Sequence, residues 1–436
     1  MWTAFKNHIQ ESLPFLLNKK LLLAVSGGVD SMVLLHLFQE LNLDIVVAHC
    51  NFQLRGAESD LETAFLSDYV KSRNIPFESI FFDTNTYAAD HQLSIQIAAR
   101  KLRYEWFEKV RLAQNCDFVL TAHHADDVVE TFLINLTRGT GLEGLQGIPV
   151  QNGFIVRPLL PFSREDIATF ATQHNISWKE DSSNASTKYF RNKLRHQVVP
   201  ILKDLNPQFL SVFQDTLQHL KQSQDLVNTA ISQIEKTVVS KERELTKLHI
   251  VALNEHKASE AFLYAFLKPY GFTAWNDIYT LKDKQSGKMV SSPTHILLKD
   301  RDYLVLRPKD ENPEISYVIE SWEDFERVPF IAVKANVLEE NTQVSKKTAL
   351  FDKNKLKFPL CIRKWQTADY FYPLGLNGKK KLSKYFKDEK FSQFEKDDCW
   401  ILSQNNEIIW VIGHRQDARF SANDTTINTI KLQVLE

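Results

Sequence analysis

Two spacings of apolar residues alternate from Leu21 to about Leu160. Short apolar runs, LLLAV (21–25), DIVVAH (44–49), FESIFF (77–82), DFVLTAH (117–123) and FIVRPLL (154–160), predict buried strands. Between them, apolar residues three and four apart predict helices over 31–41, 58–73, 94–113 and 128–138. Strands alternating with helices predict a doubly wound parallel sheet covered on both faces, whose ligands gather at the carboxyl ends of the strands. On the third helix the expected buried stripe is Ile95, Ala99, Leu102, Trp106 and Val110, with Arg100 and Arg103 adjacent on the surface.

After Pro207 the pattern changes. Residues 208–238 keep helical spacing throughout, and a mixed segment follows to about Arg307, ending in strand-like HILLKD and DYLVLRP. Residues 308–347 are acidic and irregular and read as a linker. The remainder is rich in lysine and aromatic residues, with strand-like ILSQ and EIIWVIG. The expected domains are thus 1–207, an α/β nucleotide-binding domain; 208–307, mostly helical; and 348–436, a small α+β domain.

With 43% hydrophobic and 25% charged residues, the composition is that of a globular protein. No apolar stretch is long enough to span a bilayer, and the amphipathic start MWTAFKNHIQESLPFLL lacks the marks of a signal peptide. Cys50, Cys116, Cys361 and Cys399 form no C-x-x-C pair, which argues against zinc ribbons, iron–sulfur clusters and disulfide frameworks and predicts a reducing cytoplasm. The formal net charge of −1 means that any polyanion site must be a local patch. Monomer and dimer are both left open.

The most telling chemistry lies at the end of the first strand, in Val25-Ser26-Gly27-Gly28-Val29-Asp30-Ser31-Met32. Adjacent glycines let the backbone approach a ligand, and the amides opening a helix point outward at its positive end, so the turn makes a phosphate site. No lysine follows as a Walker A loop requires; Asp30 instead stands where a carboxylate can hold magnesium beside the phosphates. A plainer reading makes it an ordinary bend capped by Ser31 or Asp30.

At the second strand end, Ala48 and His49 are candidates to receive a nucleobase, with Arg55 facing the site. The alternative is a strand-end histidine satisfied within the fold and a surface arginine. The fourth strand runs into His123-His124-Ala125-Asp126-Asp127-Val128-Val129-Glu130, where Asp127 and Glu130 share a helical face. A carboxylate there can complete a magnesium shell and a histidine can touch a phosphate; a capping box explains Asp127 and Glu130 but neither the paired histidines nor Asp126. Adjacent histidines splay to opposite sides, which disfavours zinc. Arg191 and Arg195 lie four apart in a basic segment suited to a phosphate backbone, and Lys379-Lys380-Lys381 with Tyr385 and Phe386 suits phosphate contacts plus stacking. Solvated charge is the plainer account of both basic stretches.

Taken in order, these motifs resemble the tRNA(Ile)-lysidine synthase family, within the ATP pyrophosphatases that share the SGG-x-DS loop. The likeness continues through HCNFQLR (49–55), ARKLRY (99–104), RGTGLEGL (138–145), RPLL (157–160), EDSSN (180–184) with Arg191-Asn192, and the carboxyl-terminal PLG and GKKKL. It departs at Lys396-Asp397-Asp398, where the family pattern has an arginine before the aspartate. The resemblance implies an adenine nucleotide alpha hydrolase-like domain that uses ATP and Mg2+ to adenylate C2 of the wobble cytidine in the CAU anticodon of tRNA(Ile). Free L-lysine then displaces AMP. It further implies Asp30, Asp127, Arg103 and Glu130 as catalytic groups, Asp30 and Asp127 also as magnesium ligands. Ser26, Gly27, Gly28, Val29, Asp30, Ser31, Ala48, His49, Arg100 and His123 would contact the nucleotide, and Arg55, Arg191, Arg195 and Lys379 to Lys381 the tRNA. A tRNA thiolase, an ammonia-dependent synthetase or a non-catalytic ATP-binding module are the rival readings; the first lacks its cysteines and the second its glutaminase.

Overall fold

In the computed structural model, residues 1–54, 56–179, 190–309, 316–335, 346–376, 378–423 and 425–435 are described. The chain divides into two units, Met1–Asn228 and Thr229–Glu436. Arg55 and residues 180–189, which include the EDSSN motif, lie outside the described residues.

In the first unit the apolar runs form β1 (Leu21–Ala24), β2 (Ile45–Asn51), β3 (Phe77–Phe81), β4 (Phe118–Leu120), β5 (Gln151–Asn152) and β6 (Ile155–Val156). Their order is β3-β2-β1-β4-β6-β5, parallel except for β5, which folds back antiparallel on β6 at the edge. The side-chain period of two decides which core each residue joins. Leu21 and Leu23 face a core with α1 (Trp2–Ser12), α2 (Val29–Glu40), α3 (Ala57–Lys71) and α7 (Arg164–Gln173). Leu22, Val46 and Val119 face the opposite side, against Phe107 and Val110 of α5 (Ile95–Ala113). Sequence order reverses at β1, with β2 on one side and β4 on the other, so the crevice past β1 and β4 is the expected ligand position.

Several expectations are corrected. Helix α2 begins at Val29, not Ser31, and is buried on almost every side rather than amphipathic, because it lies between the sheet and α7. The buried face of α5 is Ala98, Phe107 and Val110, and Ile95 is exposed, since the sheet meets only the helix's second half. Of FIVRPLL only Ile155–Val156 is strand. The helix over 208–238 is α10 (Phe209–Val238), and the division between units falls within it.

The second unit is antiparallel. One sheet contains Val239–Glu242, Leu245–His249, Tyr303–Pro308, His295–Asp300 and Met289–Ser291, packed against short helices through Leu248, Phe262, Leu297 and Leu304. Three further sheets follow among the described residues, of five, three and two strands. The stretch read as a linker supplies Tyr317–Ile319 to the first and Ile331–Ala335 to the second, where they pair with Leu360–Lys364 and Thr429–Val434. Their three and five residues, set among acidic neighbours, are too short to show a period; pairing with distant strands makes them strands.

Gly147, in the turn that follows α6 (Ala125–Arg138), has φ +73°, and an added Cβ would lie 2.4 Å from Val128 Cγ1. Gly147→Ala is therefore expected to cost about 1–3 kcal/mol, read as a lower denaturant midpoint. Gly141→Ala, with open space and no positive φ, should leave the midpoint unchanged or slightly raised.

Candidate active site

The loop after β1 is locked by its two serines. Ser31 Oγ donates to Gly28 O at 2.9 Å and accepts from Ser26 N–H at 3.2 Å, and Ser26 Oγ accepts from Gly28 N–H at 3.4 Å. Gly27 turns with φ +93°, and its carbonyl accepts from Lys179 N–H at 2.9 Å. Met32 N–H is the first to bond back along α2, to Gly28 O. The amides of Val29, Asp30 and Ser31 thus open the helix at its positive end, as an anion site requires.

Helix α6 points its first turn at this loop. His124, its N-cap, is 1% exposed, and the Asp127 carboxylate accepts from the His124 backbone N–H at 3.1 Å. Asp127 therefore does cap α6, but it does more. The His124 ring stands between carboxylates: Nε2 is 3.7 Å from Asp30 Oδ2 and 3.5 Å from Asp127 Oδ2, and Nδ1 is 3.7 Å from Asp126 Oδ2. His123 turns the other way, its Nδ1 2.9 Å from Thr121 Oγ1. Burial, helped by Arg157, Arg191 and Arg103, outweighs the attraction of Asp127 and lowers the His123 pKa to about 4. It is a neutral imidazole at physiological pH, so any phosphate contact it makes is a hydrogen bond rather than an ion pair.

Arg191 and Arg195 meet the other face of α6. Arg191 lies on α8 (Phe190–Lys193) and Arg195 on the π-turn Leu194–Val198 that follows. Arg191 Nε and Arg195 Nε each donate to Glu130 at 2.6 Å, and each Nη2 donates to Asp127 Oδ1 at 3.0 Å. This corrects their reading as backbone-phosphate contacts: they are turned inward because two buried carboxylates require them. It also changes the reading of the acids, since Glu130 and Asp127 have every oxygen engaged. For Asp127, burial opposes its charge, but His124, Arg191, His123 and Arg195 together hold its pKa below the ordinary carboxylate range.

Asp30 is the opposite case. Arg164 Nη1 donates to Oδ2 at 3.1 Å, yet Oδ1 is buried with no partner among the described residues. Burial raises its pKa against the pull of His124 and Arg164. No group of three or more His, Cys, Asp or Glu that could hold a metal occurs among the described residues. Magnesium needs no such cage, because it keeps waters and substrate phosphates around one or two carboxylates. The orphaned Asp30 Oδ1 beside the phosphate loop fits it, whereas Asp127 does not offer a free oxygen.

Other predicted residues are used differently. His49 is 3% exposed, with Nδ1 2.9 Å from Val25 O and Nε2 3.1 Å from Thr63 Oγ1, and burial lowers its pKa. The Ala48 carbonyl accepts from Val25 N–H at 2.9 Å. Both therefore brace the strand that launches the loop, and the His49 ring has its partners within the fold. Arg100 lies over Tyr104 and Arg103 over Phe52, each 5.0 Å from the ring centroid. In the second unit, Lys379 Nζ lies 3.3 Å from the Tyr370 ring centroid, Lys380 pairs with Asp388 at 2.8 Å, and Lys381 is exposed. Tyr385 and Phe386 are core residues and stack with no ligand, because their helix turns them onto Ile401 and Val411. Arg164 and Lys203 were missed, and Asp126, noted in the cluster, was given no role. The S-x-x-D signature of Ser163–Asp166, which does cap α7, marked the helix start that carries Arg164.

A locked Gly-Gly loop at the switch point of a parallel sheet, with a carboxylate beside it that has one buried oxygen unpartnered among the described residues, defines a phosphate-binding nucleotide domain. Residues 1–202 match the PP-loop domain family, residues 240–309 the TilS substrate binding domain and residues 360–432 the TilS substrate C-terminal domain. The chain is similar to tRNA(Ile)-lysidine synthase of Parabacteroides distasonis, at 40% identity over 94% of each chain. It is also similar to those of Bacteroides thetaiotaomicron, at 37% over 98% of each, and Porphyromonas gingivalis, at 34% over 93% of this chain and 92% of the relative. The chain belongs to the tRNA(Ile)-lysidine synthase family. Membership makes it an ATP-dependent ligase.

Two outcomes are expected. Because folding raises the Asp30 pKa, its ionised form is a burden that is absent at acid pH, grows as pH rises above the unfolded value and is fully present above the folded one. Asp30→Asn should raise the thermal midpoint near neutral pH, lose that advantage below about pH 4, and abolish pyrophosphate release. Gly28 has φ −74° and space for a Cβ, which would meet only Ser26 Oγ at 3.6 Å. Gly28→Ala should leave the melting curve unchanged while sharply raising the KM for ATP.

Proposed function

We propose that this chain joins free L-lysine to C2 of the wobble cytidine in the CAU anticodon of tRNA(Ile), using ATP. The observation that carries the reading is the meeting of three features past the carboxyl ends of β1 and β4. They are the phosphate loop, the Asp127–Glu130 face of α6, and a cavity of about 440 Å³ beside Glu130. That cavity is bordered by Asp126, Glu130 and Glu165 and by Arg164, Arg195 and Lys203. Alternating charge of both signs suits a small molecule with one carboxylate and two ammonium groups, which is lysine.

The reaction has two displacements. The cytosine C2 oxygen attacks the α-phosphorus of ATP, and the bond to pyrophosphate breaks. The lysine amine then attacks C2, and the C2–O bond breaks as AMP leaves with the oxygen. The loop amides hold the departing pyrophosphate, where charge accumulates. Magnesium, when bound, would neutralise phosphate charge, and Asp30 is the residue that would hold it. The amine attacks only when neutral, so a carboxylate at the cavity mouth must take its proton; Glu130 serves once an arginine withdraws from it.

The regions that match the TilS substrate domains supply the tRNA contacts in this reading, with Lys379 and Lys381 among them. A thiolase is disfavoured: burial pushes the Cys50 thiol up to about 12, well away from reactive thiolate character. All four cysteines are free, and this reading places the protein in the reducing cytoplasm. No helix among the described residues is long and apolar enough to cross a membrane.

Incubating the full-length protein with ATP, magnesium, labelled lysine and bulk tRNA, then digesting to nucleosides, should place the label in a single modified cytidine. AMP and pyrophosphate should form in equal amounts. Pyrophosphate release without label in the tRNA would refute lysine as the nucleophile. Glu130→Gln should slow lysine transfer by about a hundredfold while lysine-independent pyrophosphate release continues; equal losses in both steps would remove Glu130 as the proton acceptor.

A further inference from the structure

Asp126 is 7% exposed, sits in the first turn of α6, and is assigned no part in either displacement. A carboxylate there ordinarily serves the helix dipole, but this one turns its oxygens to other elements. Oδ2 accepts from the backbone N–H of Arg164 at 2.9 Å, which fixes the first residue of α7. Oδ1 accepts from Lys203 Nζ of α9 (Val199–Leu205). The same Arg164 whose backbone is held in this way sends its guanidinium to Asp30 Oδ2 at 3.1 Å. A second route runs through His124, whose two ring nitrogens lie 3.7 Å from Asp126 Oδ2 and 3.7 Å from Asp30 Oδ2.

Arg164 is therefore anchored at its main chain by one acid and spends its side chain on another. Its side chain is 40% exposed, so burial does little to restrain it. Without the bond to Asp126 the start of α7 is free to shift. A shift there is carried directly to the guanidinium that occupies one oxygen of Asp30 and leaves the other free. We propose that Asp126 is a positioning residue for the nucleotide half of the reaction. By fixing Arg164 it sets the rotation of the Asp30 carboxylate and so the direction of its free Oδ1. The inference rests on the PP-loop reading of the site and is independent of which nucleophile follows.

The test is a double-mutant cycle on the full chain with Asp126→Ala, Arg164→Met and their combination. Arg164→Met keeps the backbone N–H that bonds Asp126 and removes only the guanidinium. The readouts are equilibrium binding of ATP with and without magnesium, lysine-independent pyrophosphate release with tRNA, and the thermal midpoint. Each single variant should weaken the magnesium-dependent part of ATP binding by about 10–100-fold, the usual cost of losing a group that orients a metal ligand. The double variant should be no worse than the weaker single. Asp126→Asn, which retains an acceptor for the Arg164 amide, should recover most of the binding. Losses that multiply in the double variant would overturn the proposal, showing that Asp126 acts only on the fold. Wild-type magnesium-dependent binding in Arg164→Met would overturn it as well, and this arm stands even if Asp126→Ala does not fold. Because the binding arm contains neither tRNA nor lysine, it is distinguishable from a failure of the lysine reading.

Discussion

Two buried carboxylates on α6 dictate much of what surrounds them. Asp127 and Glu130 lie on one helical face, 8% and 1% exposed, and neither charge is tolerable there without partners. The partners come from far along the chain, from Arg191 and Arg195, and bringing them requires α8 and the π-turn to lie against α6. Guanidinium suits the task because its planar fork serves two acids at once. The result is a balanced quartet in which every carboxylate oxygen has a donor.

Against that balance, Asp30 stands out. It sits one histidine away from Asp127, yet one of its oxygens is orphaned and burial raises its pKa. The neighbouring acids are neutralised by protein cations, while this one is left short of positive charge beside a loop of outward-facing amides. A site that handles polyphosphate with a divalent cation requires that asymmetry. The amides receive the anion, and the carboxylate retains the capacity to receive a cation. Satisfying Asp30 with a fixed protein partner would favour the ligand-free protein and fill the space the ion needs.

The second unit uses its basic residues in another way. Lys380 pairs with Asp388, Lys379 lies on Tyr370, and Arg419 serves both Asp417 and Glu407. Much of what looks in sequence like a basic aromatic patch is internal bracing. Any polyanion meets the exposed remainder, in which Lys381 immediately precedes, and Lys384 and Lys387 stand on, the helix that buries Tyr385 and Phe386.

The sequence by itself determined the alternation of the main strands and helices from Leu21 to Arg138, the position of the phosphate loop and the pairing of Asp127 with Glu130 on one face. Each of these depends on local rules: the periods of strand and helix, the permissiveness of adjacent glycines, and the three-residue spacing of a helical face. It could not decide what the charged side chains do, because that depends on partners distant in the chain. Arg195 meets Glu130 across 65 positions, and Arg164 meets Asp30 across 134. For the same reason it could not show that His49 is satisfied internally or that Tyr385 and Phe386 are core. The short strands at Tyr317–Ile319 and Ile331–Ala335 gain their structure only from strands that pair with them from elsewhere. Burial and charge balance are properties of the assembled fold. Only the tertiary structure therefore decided that Asp30, alone among the acids clustered about His124, was left with an unpartnered oxygen.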